Sequence, residues 1–323
     1  MEGSAIEAEG LVKTYPKGVR ALDGVGFAVE AGTVFGLLGP NGAGKSTAVK
    51  ILTTLTLPDG GWARVAGHDV VREPLRVRRA IGVVGQKPGI DPDATGRENL
   101  RLQGDLYGMP ARAARSRADE LLARFGLADA ARLLVRTYSG GMQRKLDVAL
   151  GLMHRPEVLF LDEPTTGLDP EARADMWGEI EQLAHAEGVT VLLTTHYLEE
   201  ADRLAAQLAI VDRGRIVASG TPDELKSELR GDTLVVELGA SANGRALDAV
   251  ANVGGVRETS LDGRVLRARA DEGARAVPAV LAALEAAGVP VAAATVARPS
   301  LDDVYLRHAG RTFGVADAEE VRR

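Results

Sequence analysis

Residues 39–47 read GPNGAGKST and contain the residue types that hold a phosphate chain. The spacing matches G-x-x-x-x-G-K-[ST], in which consecutive backbone N–H groups bind an oxyanion and Lys45 reaches the β- and γ-phosphates. The hydroxyl of Ser46 is then available to Mg²⁺. An apolar run at 33–38 and helical spacing after the loop supply the strand and helix that such a loop needs. We therefore predict a nucleotide site rather than a simple glycine turn. The predicted nucleotide contacts are Gly39, Pro40, Asn41, Gly42, Ala43, Gly44, Lys45, Ser46 and Thr47.

Two carboxylates follow the apolar strand EVLFLDEP, residues 157–164. Asp162 can hold Mg²⁺ through water, and Glu163 is placed to polarise a water molecule for attack on the γ-phosphate. Alone, an apolar strand ending in two acids is a weak signal, but downstream of a phosphate-binding loop it is a strong one. The next apolar strand, 189–195, ends at His196, where a γ-phosphate contact is favoured over a merely structural histidine.

A second candidate anion loop reads YSGGMQRKL, residues 138–146. Two glycines follow a serine directly before a helical pattern, which is the arrangement of an anion site at a helix N-terminus. The loop itself contains no lysine, so we do not expect it to hold a nucleotide alone.

Composition limits the possible classes of protein. The 323 residues suffice for two domains, and the content of 45% hydrophobic and 26% charged residues is ordinary for a globular protein. A net charge of −6 gives no overall attraction to nucleic acid. The absence of cysteine excludes disulfides and suits a reducing cytosol. The acidic residues 1–10 do not resemble a signal peptide, and the alanine-rich stretch 276–297 predicts a helix and a strand rather than a membrane span.

The order of the predicted elements indicates an α/β fold followed by a second, small α+β domain. Short antiparallel strands occupy the first 32 residues, the stretch 88–156 is mostly helical, and 208–219 predicts a hairpin. Beyond 232 the order is βαββαβ, which is the ferredoxin-like pattern. We predict domains at 1–228 and 229–310, followed by a tail at 311–323.

Over residues 5–228 the chain resembles the ATP-binding subunits of ABC transporters. The resemblance implies a P-loop NTPase fold with a mixed core sheet, an antiparallel β subdomain and a helical subdomain, and it implies ATP and Mg²⁺ as cofactors. Tyr15 would stack on adenine, although an aromatic in an N-terminal strand could equally be a packing residue. The catalytic residues implied are Lys45, Gln86, Glu163, Asp169 and His196, and the implied Mg²⁺ ligands are Ser46, Gln86 and Asp162.

The same resemblance explains the second loop. In the family the signature loop grips the γ-phosphate that the other subunit of a dimer holds, and here Ser139, Gly140 and Gly141 match it. Each homodimer would therefore contain two sites, each built from both chains. Tyr138 and Met142 depart from the common L-S-G-G-Q form, which leaves the backbone anion site intact.

This variant, with TGRENL at 95–100 and PSLDDVYLRHAG at 299–310, is similar to the daunorubicin-resistance branch of ATP-binding proteins. It implies ATP-driven export of a hydrophobic compound through a separate membrane permease, at the cytoplasmic face of the membrane. The segment SLDDVY is also compatible with a simple capped helix start. Alternatives are a soluble ABC ATPase acting on ribosomes or DNA, and a P-loop kinase. A soluble ABC ATPase usually has a second ATPase cassette and a basic stripe, and this chain has neither. The signature loop argues against a kinase.

Overall fold

The apolar runs that the sequence predicts as buried strands form the centre of a mixed sheet in the computed structural model, which describes residues 3–229, 231–239, 244–310 and 313. The described residues form two compact units that divide between Pro222 and Asp223. The strands of the first unit are β1 (Ser4–Tyr15), β2 (Val19–Glu30), β3 (Val34–Leu38), β4 (Gly60–Val65), β5 (His68–Asp69), β6 (Ile81–Val84), β7 (Val158–Asp162), β8 (Thr190–Thr195), β9 (Gln207–Asp212) and β10 (Arg215–Gly220). Its helices are α1 (Lys45–Leu52), α2 (Pro74–Ala80), α3 (Gly96–Leu106), α4 (Ala111–Arg124), α5 (Gly140–Gly151), α6 (Pro170–Glu187) and α7 (Leu198–Leu204).

The core sheet has the strand order β10-β9-β3-β8-β7-β6. Every pair from β9 to β6 is parallel, and β10 adds an antiparallel edge through the predicted hairpin. All residues of β3 and β8 are buried, as continuous apolar runs in a parallel sheet require. Because parallel strands end at a common edge, the residues that follow β3, β6, β7 and β8 lie side by side there.

A separate antiparallel sheet with the order β2-β1-β4-β5 packs on α1. The buried side chains between this sheet, α1 and the core sheet include Ile6, Leu11, Leu22, Ile51 and Phe160. This packing holds α1 rigidly behind the phosphate-binding loop, as the predicted antiparallel β subdomain should.

Helices α3, α4 and α5 lie within the range that the sequence predicts as helical. A capping box starts α3, in which the Thr95 side chain accepts from the Glu98 backbone and the Glu98 side chain accepts from the Thr95 backbone. Close packing of α3 on α4 leaves no room for a side chain at Gly104, where a Cβ would lie 2.8 Å from the Cβ of Ala114. Helix α5 begins with the glycines of the second anion loop.

The second unit contains the predicted βαββαβ order. Its elements are α8, which begins at the division (Pro222–Ser227), then β11 (Asp232–Leu238), α9 (Gly244–Ala251), β12 (Val256–Asp262), β13 (Val265–Ala270), α10 (Gly273–Ala286), β14 (Val291–Ala297) and α11 (Leu301–Ala309). The sheet is antiparallel with the order β12-β13-β11-β14. The ferredoxin-like classification stays a prediction. A capping box between Ser300 and Asp303 starts α11, so SLDDVY is a capped helix start.

The division between the units falls six residues before the predicted boundary at 228. Leu225 and Leu229 are buried, and the Glu228 carbonyl accepts a hydrogen bond from Arg307 within the second unit, so this segment belongs to the later domain. The alanine-rich stretch 276–297 forms the end of α10 and β14, and no described helix is long and apolar enough to cross a membrane. Of the predicted tail, only Phe313 lies within the described residues.

A substitution at Gly82 in β6 tests how closely α5 packs against the core sheet. A Cβ at this position would lie 2.2 Å from the carbonyl oxygen of Gly151. We expect Gly82→Ala to lower the free energy of unfolding by about 3 kcal/mol, because backbone must move. Gly178→Ala, in α6 with nothing within 4 Å of a new Cβ, should instead raise it by about 0.5–1 kcal/mol. Urea denaturation measures both, and equal midpoints would contradict the packing described.

Candidate functional site

The phosphate-binding loop runs from the end of β3 into α1, as predicted. Gly39 donates its N–H to the Thr195 carbonyl at 3.2 Å, which ties the loop to the end of β8. A Cβ at Gly39 would lie 2.3 Å from the Val211 carbonyl oxygen. Gly44 has a φ of +111°, and a Cβ there would lie 2.4 Å from the Ala21 carbonyl oxygen. Close backbone approach therefore requires glycine at both positions.

Lys45 is buried, with 4% of its surface exposed. Its Nζ donates to the carbonyl oxygens of Gly39 at 2.6 Å and Pro40 at 3.1 Å. It also lies 3.6 Å from Oε1 of Glu163. The ammonium group is thus held inside the loop, where a phosphate oxygen can exchange for a carbonyl as its partner.

Oxygen-bearing side chains converge beside Lys45. Ser46 Oγ donates to Asp162 Oδ1 at 3.2 Å, and Gln86 Nε2 donates to Ser46 Oγ at 3.4 Å. Thr194, which the sequence reasoning missed, donates to the same Asp162 oxygen at 2.5 Å. A hydroxyl, an amide and a single carboxylate suit Mg²⁺, which takes one or two carboxylates together with phosphate oxygens. The donor set therefore fits the predicted metal.

Glu163 has an unusual backbone, with a φ of +51°. Its N–H donates to both the carbonyl and the hydroxyl oxygen of Thr194 at 3.1 Å, which holds this conformation. Its Oε2 lies 3.3 Å from Nδ1 of His196, so the ends of β7 and β8 bring the two predicted residues together. Strained backbone of this kind is characteristic of functional sites.

The electrostatics of Glu163 favour its charged form. Burial raises the pKa of this carboxyl. Contacts with His196 and Lys45 lower the pKa by more than burial raises it, so the pKa lies below its ordinary value. The group is therefore ionised near neutral pH. A buried carboxylate that is ionised and lies beside the phosphate-binding loop can accept a proton from water.

A cavity of about 170 Å³ beside the loop is lined by Ala21, Gln86, Glu163 and residues 41–47. The described residues lining it do not include the remaining predicted site residues, which are Tyr15, Gly39, Pro40, Ser139, Gly140, Gly141, Asp162, Asp169 and His196. Tyr15 ends β1, and its ring centroid lies 5.9 Å from Nζ of Lys13. Its predicted adenine contact stays a prediction.

The signature loop and Asp169 lie at neighbouring helix starts. Ser139 caps α5 by accepting from the Met142 N–H at 3.2 Å, and Asp169 caps α6 by accepting from the Ala172 N–H at 2.9 Å. A Cβ at Gly141 would lie 3.0 Å from the Cβ of Ala172. Both cap residues are exposed, so they present polar groups outward at one place on the surface.

Tyr138 stands where the common form of the signature loop has leucine. Its ring is buried, and its hydroxyl donates to the Ala130 carbonyl at 2.7 Å. A Cβ at Gly96 would lie 2.5 Å from that hydroxyl, so the phenol fills the space beside the start of α3. The substitution therefore serves packing between α3 and α5.

Arg144 is a residue of the signature stretch whose role the sequence did not indicate. Its guanidinium is buried and lies at the centre of a set of backbone carbonyls. It donates to the carbonyl oxygens of Gly85 (2.7 Å), Pro164 (2.8 Å), Asp162 (3.3 Å) and Glu163 (3.3 Å). Arg144 thus joins α5 to the segments that carry Gln86 and both candidate acids.

Asp147 completes this buried pair. It accepts from Arg144 at 3.0 Å and from the Gly89 N–H at 2.9 Å. Burial lowers the pKa of Arg144, which Asp147 partly offsets, and burial raises the pKa of Asp147. In the sequence, the signal for this pair is that Arg144 and Asp147 follow the signature glycines at a helical spacing of three residues.

Comparisons with known proteins agree with this geometry. Residues 22–166 match the family model described as ABC transporter, and residues 220–309 match ATP-binding protein DrrA1-3-like, C-terminal domain. The chain is 48% identical over 318 residues to the daunorubicin resistance ATP-binding protein DrrA3 of Streptomyces coeruleorubidus, covering 98% of this chain and 100% of the relative. The chain belongs to the ATP-binding proteins of ABC transporters. ATP binding and hydrolysis are therefore its activity.

Other members of the ABC family extend the likeness. The linearmycin resistance ATP-binding protein LnrL of Bacillus subtilis is 35% identical over 95% of this chain and 99% of its own length. A solved ABC ATP-binding cassette, described as a dimer in a post-hydrolysis state bound to ADP and Pi, is 26% identical with a TM-score of 0.62. That likeness covers 67% of this chain and 98% of the solved one, so it concerns the cassette.

Replacing Arg144 tests the buried pair. Arg144→Met would leave Asp147 buried without its cation, so we expect the free energy of unfolding to fall by about 3–5 kcal/mol. Lys145→Met is the matched control, because among the described residues Lys145 pairs with the exposed Asp175, and losing this pair should cost about 0–1 kcal/mol. Chemical denaturation of both variants measures the difference. Losses of similar size would show that Arg144 does not hold the two segments together.

Proposed function

We propose that this chain is the ATP-hydrolysing subunit of an exporter and powers efflux of a hydrophobic compound through a separate membrane permease. The similarity to daunorubicin and linearmycin resistance proteins over nearly the whole chain carries this proposal. It favours export over the alternative, a soluble ABC ATPase acting on ribosomes or DNA. The chain would act at the cytoplasmic face of the membrane.

In the proposed mechanism, the amides of residues 41–47 and the ammonium of Lys45 bind the β- and γ-phosphates. Ser46, Gln86 and Asp162 would hold Mg²⁺, which neutralises phosphate charge when bound. Glu163 accepts the proton of the attacking water. His196, whose Nδ1 lies 3.3 Å from Glu163, orients the γ-phosphate against that water.

The signature loop would complete the site of a second copy. Ser139, Gly140 and Gly141 are not among the described residues lining the cavity beside Lys45, and nothing lies within 4 Å of a Cβ at Gly140. Ser139 and Gly140 are exposed at the start of α5, where backbone N–H groups suit an external oxyanion. In a twofold homodimer, this loop and the neighbouring Asp169 would meet the γ-phosphate held by the partner.

Glu163→Gln tests the assigned base. The amide keeps the size of the side chain but cannot accept the proton, so we expect kcat to fall by about 10²–10⁴-fold while ATP binding is retained. Glu199→Gln, an exposed change in α7, is the control and should leave turnover unchanged. Phosphate release and nucleotide titration measure the two properties. Turnover within about tenfold of wild type would remove Glu163 from the base role.

Transport into membrane vesicles tests the proposed export. Inside-out vesicles that contain the chain with a co-expressed permease should accumulate a hydrophobic drug such as daunorubicin on addition of ATP. Vesicles with Glu163→Gln should not. Uptake by both, or by neither while the wild type hydrolyses ATP, would contradict drug export.

A mixture of two inactive variants tests the shared site. Lys45→Ala lacks the phosphate grip, and Gly140→Asp places a carboxylate against the γ-phosphate. In a mixed dimer both defects fall in one site, and the other site is intact. Half the dimers of an equal mixture are mixed, so about a quarter of wild-type activity should return if the sites are independent.

The mixture has an internal control. If hydrolysis needs both sites, no activity returns, but the mixed dimers should still occlude ATP at their intact site. Mixed dimers that form on ATP and neither hydrolyse nor occlude nucleotide would show that each loop serves its own chain.

A further inference from the structure

Glu200 is a buried carboxylate that the proposed mechanism does not use. It lies in α7 and has no exposed surface. Its Oε1 accepts hydrogen bonds from Thr165 Oγ1 at 2.8 Å and from Trp177 Nε1 at 3.0 Å. Its Oε2 has no hydrogen-bond partner among the described residues. Burying a carboxylate in this way is costly, so its retention needs an explanation.

The two donors come from the segments that carry the other catalytic candidates. Thr165 is two residues after Glu163, and Trp177 lies in α6, which begins at the cap residue Asp169. Both are buried, with exposures of 0% and 6%. Glu200 itself lies four residues after His196, in the first turn of α7. A single carboxylate oxygen therefore links the loop after β7, helix α6 and the helix that follows β8.

The link bears on the distance between Glu163 and His196. These two residues leave different strands, and their side chains approach to 3.3 Å without a well-formed hydrogen bond between them. Glu163 has strained backbone, and its side-chain contact with Thr166 Oγ1 in the same turn is long, at 3.4 Å. The two hydrogen bonds that the Glu200 carboxylate accepts are shorter, at 2.8 and 3.0 Å, and bonds to a charged acceptor are stronger.

Arg144 supplies the opposite charge. The carboxylate of Glu200 acts electrostatically on this guanidinium, which itself donates to the carbonyl oxygens of Glu163 and Pro164. Arg144 thus holds backbone carbonyls of the loop after β7, and Glu200 holds the Thr165 side chain of the same loop. The main contribution of Glu200 is geometric, because it accepts from two donors that are themselves fixed by packing.

We propose that Glu200 is a positioning residue for hydrolysis, which holds His196 in register with Glu163 and the γ-phosphate by fastening α7 to Thr165 and Trp177. The inference rests on the proposed function, since His196 and Glu163 must meet ATP for their register to matter. Glu200 touches no reacting atom and acts through His196.

The experiment uses the full chain and measures kcat, KM for ATP and thermal unfolding. Glu200→Ala removes both acceptors and should lower kcat by more than about tenfold, with KM changed by less than about threefold. Glu200→Gln keeps an acceptor oxygen in place and should recover activity to within about threefold of wild type. Glu199→Ala, the exposed neighbour, is the control and should match wild type.

A double-mutant cycle identifies the route. In a His196→Ala background, Glu200→Ala should lower kcat by less than about threefold further, because its effect passes through His196. If Glu200→Ala does not fold, Thr165→Val and Trp177→Phe each remove one donor while keeping the shape of the side chain, and both should lower kcat rather than raise KM.

Three outcomes would overturn the inference. The first is wild-type kcat in folded Glu200→Ala or in both donor variants. The second is a full additive loss in the His196→Ala background, and the third is a loss in Glu200→Gln as large as in Glu200→Ala. A wild-type chain that binds ATP but never hydrolyses it would instead overturn the proposed function, and this inference with it.

Discussion

The parallel pairing of β3, β8, β7 and β6 is the constraint on which the rest of the site depends. Because these strands run in one direction, the segments that leave their carboxyl ends emerge at one edge of the sheet. The loop that holds Lys45, the acids Asp162 and Glu163, and His196 come from positions far apart in the chain. The ends of their strands bring each of them within hydrogen-bond or ion-pair distance of another.

Several charged side chains at this edge are buried, and each is stabilised by a specific partner. Lys45 donates to loop carbonyls, Arg144 donates to carbonyls and to Asp147, and Glu200 accepts from two buried donors. Since removing one member leaves its partner buried and uncompensated, these pairs make the geometry of the edge stiff. Stiffness is useful where a carboxylate must stay close to a lysine and a histidine. The strained backbone of Glu163 persists for the same reason.

The exposed residues of the signature loop and Asp169 contrast with the buried groups at this edge of the sheet. Within the part of the chain that the structure describes, the side chains of Ser139 and Asp169 serve as helix caps at the starts of α5 and α6. Arg144, in the second turn of α5, donates to the carbonyls of Glu163 and Pro164, so the helix that follows the signature loop is joined to the segment that carries the proposed base. The connection runs through a few buried hydrogen bonds, and therefore a change at one end can reach the other.

Many features of this protein could be predicted from its sequence because they depend on the conformational preferences of neighbouring residues. The phosphate-binding loop needs glycines where backbone approaches closely, the strand before Asp162 is apolar because both its faces are buried, and turns and helix caps carry their own residue preferences, so the loop, the strands, the acids and the βαββαβ order could all be predicted. Contacts between distant segments have no such pattern. Nothing around Arg144, Thr194 or Glu200 indicates which carbonyls, carboxylates or donors they meet. No local pattern assigns the segment 223–228 to the second unit. These features were decided only by the tertiary structure, because the energy of a buried charge or a packed side chain depends on neighbours that the fold, rather than the adjacent chain, supplies.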